Sequence, residues 1–187
     1  MAHLPSSLPI PVEDGACANL LDSTVPTSLT LPSTSGSPVT LSALPGLTVL
    51  FCYPRTGAPN EVVTPAWNAM PGARGCTSQA CTFRDNLPIL RKFGVNTVFG
   101  LSTQNTAYQK EAKERLKLPY DLLSDEKLEF VSAMQMPVFH WEGDSLMKRY
   151  TLAIKEGKVV KVWYPVFPPD ENWKEVVAWL KENKQGD

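Results

Sequence analysis

The stretch Leu47-Thr-Val-Leu-Phe-Cys-Tyr53 is a near-continuous run of apolar and β-branched residues that stops at Pro54. Such a run is typical of a central strand that is buried on both faces of a sheet. Val95–Leu101 is a second apolar strand farther along the chain. Between the two strands, Thr77–Phe93 carries apolar residues at three- and four-residue spacing, which predicts a helix, and Pro88 should kink or break it.

The second half of the chain continues the alternation of strands and helices. Gln104–Lys117 predicts a charged amphipathic helix, Leu122-Leu123 a short strand, and Glu126–Met134 another helix. Tyr150–Lys155 and Lys158–Tyr164 alternate on either side of a glycine turn, which indicates a β-hairpin.

A last helix follows the hairpin, with Asp170 as its expected N-cap. Strand–helix–strand–helix, then a hairpin and a terminal helix, predicts an α/β sandwich with a mixed central sheet flanked by helices. That order is the one found in thioredoxin-like folds. Residues 1–28 are proline-rich and lack periodicity, so we expect an extended N-terminal arm, with the folded domain at 29–187.

Composition excludes several classes of protein. A hydrophobic fraction of 43% and a charged fraction of 20% suit a globular domain with its own core. The net charge of −1 gives no reason to expect nucleic acid or an anionic membrane as partner. The N-terminus lacks the features of a secretory or mitochondrial signal, so a reducing, cytoplasmic setting is expected. Four cysteines are too few for a secreted disulfide scaffold, so a pair among them is expected to be catalytic.

Cys76 stands at the first turn of the predicted helix, where unpaired N–H groups and the helix dipole favour an anion. Arg74 lies two residues away, and Arg149 could reach the same place through the fold. Gly75 leaves room for a small substrate to approach. Since a cysteine reacts as its thiolate, these features predict a reactive Cys76.

Cys81 is the second cysteine of this helix. On an intact helix, five residues place the two Cα atoms about 8–9 Å apart, whereas a disulfide needs less than about 7 Å. Cys76 and Cys81 can therefore be bonded only if the first turns unwind. The spacing does not fit a Cys-Xaa-Xaa-Cys motif or a zinc site, and the only histidines are His3 and His140. On spacing alone, two helix cysteines without a redox role fit equally well. Cys52 is expected in the core, and Cys17 is expected to be exposed in the arm.

Four ordered segments resemble the peroxiredoxins of the Q type, also called the bacterioferritin-comigratory-protein group. The resemblance runs from about residue 28 to 183. The segments are Cys76-Thr-Ser-Gln-Ala-Cys81-Thr-Phe-Arg-Asp85, Val98-Phe-Gly-Leu-Ser-Thr103, Leu118-Pro-Tyr-Asp-Leu-Leu-Ser-Asp125, and Lys148-Arg-Tyr-Thr-Leu-Ala-Ile154 with Gly157-Lys-Val.

The resemblance implies a role for each matched residue. Cys76 would be the peroxidatic cysteine, oxidised to a sulfenic acid, and Cys81 would resolve it as an intramolecular disulfide. Arg149 would hold the thiolate and polarise the peroxide. Pro54 would shield the site, as the first residue of the family's Pro-x-x-x-Thr-x-x-Cys motif.

This sequence departs from that motif. Ala73 stands three residues before Cys76, where the family has threonine, and an apparent insertion, Ala58–Ala73, separates the two halves of the motif. Thr56 is the nearest match to the threonine if the insertion loops out. Two interpretations of the insertion stay open: a cover that narrows substrate choice, and a surface elaboration without a catalytic role.

The implied activity is that of a thiol-specific peroxidase acting on hydrogen peroxide and organic hydroperoxides, with no metal or cofactor. A thioredoxin- or glutaredoxin-like protein would reduce it, and a monomer or weak homodimer is expected. Two alternatives remain. One is a general thiol–disulfide oxidoreductase, which the missing Cys-Xaa-Xaa-Cys motif disfavours. The other is a peroxide sensor or redox-regulated binding protein.

Overall fold

The computed structural model describes residues 8–183. Short 3-10 turns occupy Leu41–Ala43 and Pro169–Glu171. The strands and helices, in chain order, are β1 (Leu47–Cys52), α1 (Pro65–Asn68), α2 (Cys76–Asp85), α3 (Leu87–Lys92), β2 (Val95–Ser102), α4 (Thr106–Leu116), β3 (Leu122–Ser124), α5 (Glu129–Met134), β4 (Val138–Trp141), β5 (Asp144–Met147), β6 (Tyr150–Lys155), β7 (Lys158–Trp163) and α6 (Asn172–Asn183).

Five strands form one sheet in the order β3-β2-β1-β6-β7. β1 pairs in parallel with β2, and β2 in parallel with β3. β6 runs antiparallel to β1 and to β7, so the sheet is mixed. The predicted α/β sandwich of thioredoxin type is confirmed.

β1 is buried on both faces, and its alternate residues enter two separate cores. Val49 and Phe51 belong to the core under α2, α3 and α6, where Phe51 stacks on Phe83 of α2 with ring centroids 4.8 Å apart. Leu50 and Cys52 belong to the opposite core, which also contains residues of α5 and of the N-terminal segment. The alternation follows from the two-residue period of a strand.

The predicted helix from Thr77 to Phe93 is two helices, with the break at Asn86 between α2 and α3. Pro88 lies in the first turn of α3, where a missing N–H costs nothing, so the prediction of a break is confirmed. The expected N-cap of the last helix is wrong: Asp170 lies in the 3-10 turn, and α6 begins at Asn172.

The N-terminal segment is packed against the domain. Asp22 N donates to Val159 O at 2.9 Å, and Val25 N donates to Gly157 O at 2.8 Å, so this part of the segment lies along β7. Cys17 is only 6% exposed and joins the core that contains Cys52. The expectation that Cys17 is exposed is therefore wrong, because long-range packing that no local pattern encodes covers the thiol. Residues 1–7 of the expected arm lie outside the described residues.

The same segment reaches both edges of the sheet. Thr24 forms an antiparallel bridge with Lys158 of β7, and Ser33 forms one with Leu123 of β3. Thr34 N donates to Leu122 O at 3.0 Å beside the second bridge. Because β7 and β3 are the outer strands, one segment pairs with each end of the sheet.

No helix within residues 8–183 is long and apolar enough to cross a membrane.

Candidate active site

Strand pairing places Arg149 beside the end of β1. Tyr150, the first residue of β6, pairs with Cys52, the last residue of β1, so the residue before β6 lies where β1 ends. The loop that follows β1 leads to α2, which begins at Cys76. Two elements distant in sequence thereby bring Arg149 and Cys76 together.

Gly75 is the N-cap of α2 and has a φ of 99°, in the left-handed region that side chains with a Cβ rarely adopt. Its carbonyl accepts a hydrogen bond from Gln79 N at 2.9 Å, which starts the helix. The glycine therefore allows the sharp entry that directs Cys76 towards Arg149.

The Arg149 guanidinium is buried and surrounded by acceptors. Its Nη2 donates to Cys76 Sγ at 3.1 Å, and it also lies 3.1, 3.3 and 3.0 Å from the carbonyl oxygens of Gly72, Ala73 and Arg74. The cation thus fixes the loop before α2 and faces the sulfur. A charged donor at this distance stabilises a sulfur anion more than a neutral thiol.

Cys76 and Cys81 are both free thiols on an intact helix. Cys76 is buried, and Cys81 is partly buried on another side of α2, because five residues turn a helix by about 140°. Burial raises the pKa of the Cys81 thiol, which disfavours its thiolate while the helix is closed.

A groove of about 450 Å³ opens beside Cys76. Its apolar lining comes mainly from the insertion and from the end of β4, and three arginines also line it. The large apolar residues are Val62, Val63, Trp67 and Trp141, and the arginines are Arg55, Arg74 and Arg115.

Trp67 fastens the insertion to the hairpin. Its ring is 6% exposed, lies 5.1 Å from the Trp141 ring edge-to-face, and packs in a small core with Ala73 and Leu146. The guanidinium of Arg55 lies over the same indole at 4.9 Å. Trp67 therefore anchors the insertion beside the groove, while residues 58–66 before it are exposed.

Thr56 and Pro54 are buried next to the end of β1. Thr56 Oγ1 donates to Gln104 Oε1 at 3.3 Å, and Thr56 N donates to the same oxygen at 3.0 Å. Neither residue is among those lining the groove beside Cys76. The structure thus brings Cys76 and Arg149 into contact, while the Thr56 hydroxyl faces Gln104.

Gln79 also belongs to the site. Its side chain is fully buried, and its Oε1 accepts a hydrogen bond from Arg149 Nη1 at 2.5 Å. The sequence spacing could have identified Gln79, since a residue three positions after Cys76 lies on the same side of a helix. Within residues 8–183, no group of three or more His, Cys, Asp or Glu side chains could hold a metal ion.

Comparisons with known proteins place the chain in a family. The model of the Redoxin family matches residues 21–178. A chloroplastic peroxiredoxin Q from Suaeda salsa is 30% identical over 166 residues, which cover 88% of this chain and 69% of that protein. Peroxiredoxin bcp1 from Schizosaccharomyces pombe is 32% identical over 139 residues, or 70% of this chain and 63% of its own. The crystal structure of peroxidoxin BcpB from Mycobacterium tuberculosis superposes with a TM-score of 0.68 at 27% identity, covering 87% of this chain and 97% of that one.

Proposed function

Because the chain belongs to the Redoxin family and is a peroxiredoxin of the Q type, a thiol-dependent peroxidase, we propose that it reduces hydrogen peroxide and organic hydroperoxides at Cys76. The observation that carries the proposal is the 3.1 Å contact between Arg149 Nη2 and Cys76 Sγ at the edge of an open groove. No other described cysteine combines a guanidinium contact with access to a cavity of this size.

In the first step the Cys76 thiolate attacks the outer oxygen of the peroxide. A sulfur–oxygen bond forms, the oxygen–oxygen bond breaks, and the inner oxygen leaves as water or an alcohol after taking a proton. Negative charge passes from the sulfur to the leaving oxygen. Arg149 supplies a fixed positive charge along this path, which stabilises the transition state without rearrangement of solvent.

In the second step the Cys81 thiolate attacks the sulfur of the Cys76 sulfenic acid. A disulfide forms, the sulfur–oxygen bond breaks, and the oxygen leaves as water after protonation. The intact α2 holds the two thiols apart, so its first turns must unwind for this step. A thioredoxin- or glutaredoxin-type dithiol then reduces the disulfide and becomes oxidised itself.

Pro54 and Thr56 complete the proposed site. Pro54 is buried directly after Tyr53 and would keep water from the site. Thr56 can serve as the threonine of the Pro-x-x-x-Thr-x-x-Cys motif only if its hydroxyl no longer donates to Gln104, as it does here. The Thr56 assignment therefore stays a prediction.

The groove supports the inclusion of organic hydroperoxides among the substrates. Val62, Val63, Trp67 and Trp141 offer apolar surface next to Cys76, where the organic part of a hydroperoxide can leave water. The insertion would thus take part in substrate choice. A cytoplasmic location and a monomer or weak homodimer belong to the same proposal.

The test is peroxide consumption by the full chain, coupled to a thioredoxin and its reductase. The wild type should turn over, Cys76→Ser should not, and Cys17→Ala should match the wild type because Cys17 is buried in the other core. Turnover retained in Cys76→Ser would refute the proposal. Mass spectrometry of the peroxide-treated protein should find a Cys76–Cys81 link, and a link through Cys17 or Cys52 would overturn the role of Cys81.

A further inference from the structure

Four buried polar side chains form a closed ring behind Cys76. Arg149 Nη1 donates to Gln79 Oε1 at 2.5 Å, and Gln79 Nε2 donates to Asn172 Oδ1 at 3.1 Å. Thr151 Oγ1 donates to the same Asn172 oxygen at 2.6 Å. Since Thr151 follows Arg149 by two residues in the chain, the backbone closes the ring. Gln79, Thr151 and Asn172 are fully buried.

The charge of Arg149 orients every amide of the ring. A guanidinium only donates hydrogen bonds, so Gln79 must turn its oxygen to Arg149 and its nitrogen to Asn172. Asn172 must then present its oxygen to Gln79, and its Nδ2 donates outward to Glu175 Oε2 at 3.2 Å. Each amide of the ring therefore has one orientation in which both its oxygen and its nitrogen are satisfied, which makes the ring rigid while it is closed.

Only one member of the ring lies on an element that must move. Gln79 stands between Cys76 and Cys81 on α2, the helix that unwinds when these two thiols join. Thr151 lies on β6, Asn172 begins α6, and Arg149 precedes β6, and no step requires these elements to rearrange. When α2 unwinds, the bonds from Gln79 to Arg149 and Asn172 are therefore the ones that break.

We propose that Asn172 is a positioning residue for the peroxidase reaction and acts through Gln79. With the ring closed, it steadies Gln79 against Arg149 and so holds the guanidinium on Cys76. The same bond ties α2 to α6 and thereby sets how readily the helix unwinds for Cys81. The inference rests on the proposed roles of Cys76 and Cys81.

The bond to Asn172 should speed the oxidation of Cys76 and slow the unwinding of α2. Loss of the bond should therefore change the two rate constants in opposite directions, which is what the test measures. In Asn172→Ala the closed helix loses a buried bond that the unwound helix does not have, so unwinding becomes easier. Disulfide formation should accelerate by about three- to tenfold, as expected for the loss of one hydrogen bond. The reaction of Cys76 with peroxide should slow, by about threefold on the same reasoning, because Arg149 is held less firmly.

Stopped-flow tryptophan fluorescence on the full chain measures both rate constants in one peroxide-mixing experiment. At excess peroxide, mass spectrometry should also find less sulfinic acid on Cys76 in Asn172→Ala, since faster resolution removes the sulfenic acid sooner. The matched control is Glu175→Gln, which keeps an acceptor for Asn172 Nδ2 and leaves the ring intact, so both rates should stay at the wild-type values.

Gln79→Met tests whether Asn172 acts through Gln79. It removes the Gln79–Asn172 hydrogen bond from the α2 side, so it also serves as the test variant if Asn172→Ala does not fold. Adding Asn172→Ala to Gln79→Met should change neither rate further, because the partner is already gone. Additive effects, or two rates that fall together, would show that Asn172 merely stabilises α6 and would overturn the inference.

Failure of this inference is distinguishable from failure of the proposed function. If the wild-type chain forms no Cys76–Cys81 disulfide, the role of Cys81 fails and the inference fails with it. If the wild type forms the disulfide and Asn172→Ala forms it at the same rate, only the inference is overturned.

Discussion

Arg149 uses one nitrogen, Nη2, for the sulfur of Cys76 and the other, Nη1, for Gln79. The planar fork allows both contacts at once, and a lysine cannot reproduce them. We expect Arg149→Lys to lower the rate constant of Cys76 oxidation by peroxide about 100-fold, the usual loss when one aligned electrostatic donor is removed. Stopped-flow oxidation of the reduced protein measures this constant.

The control for that substitution is Arg91→Lys, which changes an exposed arginine at the end of α3. It should leave the oxidation rate unchanged. A rate in Arg149→Lys within a factor of about three of the wild type would mean that positive charge alone suffices and that the geometry of the fork is unimportant.

Cys81 offers a pH test of the unwinding step. Burial raises the pKa of its thiol in the closed helix, and unwinding removes that burial, so the open segment should titrate near the ordinary cysteine value of about 8.5. The rate of disulfide formation, followed by stopped flow across pH, should therefore rise with a midpoint near that value. A midpoint displaced well above it would mean that Cys81 attacks from the folded helix.

At the scale of elements, the insertion depends on Trp67 for its position against the β4–β5 hairpin. Trp67→Ala should destabilise the fold by about 3–5 kcal/mol, as for other buried aromatic truncations, provided that the insertion does not detach first. If it detaches, the apolar wall of the groove is lost. We then expect kcat/KM for cumene hydroperoxide to fall more than kcat/KM for hydrogen peroxide.

The comparison for this variant is Trp173→Ala on α6, which packs against the core under α2 and does not touch the insertion, so it should not change the ratio of the two kcat/KM values. Equal losses for both peroxides in Trp67→Ala would show that the insertion does not distinguish substrates.

Local patterns predicted most of the central elements. The apolar run at Leu47–Tyr53 and the glycine turn between β6 and β7 are signals within a few residues, and the strands they predicted formed. The β4–β5 hairpin was not predicted, because half-buried strands such as Val138–Trp141 carry no clear alternation. The docking of the N-terminal segment depends on distant contacts, which no local period encodes.

Some residues of the site could likewise be predicted from local motifs, and others could not. Cys76 and Arg149 could be found from their motifs, and the strand register explains why they meet. Asn172 lies more than ninety residues from its partner Gln79, and only the packing of α6 on α2 brings the two amides together. A single sequence contains no signal for such a pair, because an asparagine near a helix start is usually a cap.

At the scale of the whole molecule, the N-terminal segment is held by a small polar cluster as well as by its apolar residues. Asp14 accepts hydrogen bonds from Lys148 Nζ at 2.5 Å and Tyr164 Oη at 2.7 Å. The Lys148 contact first, and then the Tyr164 contact, lower the pKa of the Asp14 carboxyl from 3.8 to about 2. A carboxyl with a lowered pKa in the folded state stabilises that state above its ordinary pKa, and the contribution is lost as the pH falls from about 4 towards 2.

Cys17 reports on this attachment, because burial raises the pKa of its thiol to about 12 and shields it from reagents. Between pH 4 and about 2, a pyridyl disulfide reagent should label Cys17 increasingly fast in the wild type. Asp14→Asn should label faster at pH 5 and show a weaker dependence on pH over this range, while Asp170→Asn should follow the wild type. An Asp14→Asn profile that coincides with the wild type would mean that Asp14 does not hold the segment.

The pairing of residues 24 and 33 with the two outer strands has a consequence for how copies of this protein can meet. A bare outer strand is a template on which another chain can polymerise, and a sheet with two such strands can grow in both directions. Here a single stretch of the chain occupies part of each template, so addition of strands from a neighbouring copy is hindered on both sides. This favours association of copies through helices or loops, and protection against fibril-like growth is lost at both ends together if that one stretch comes away.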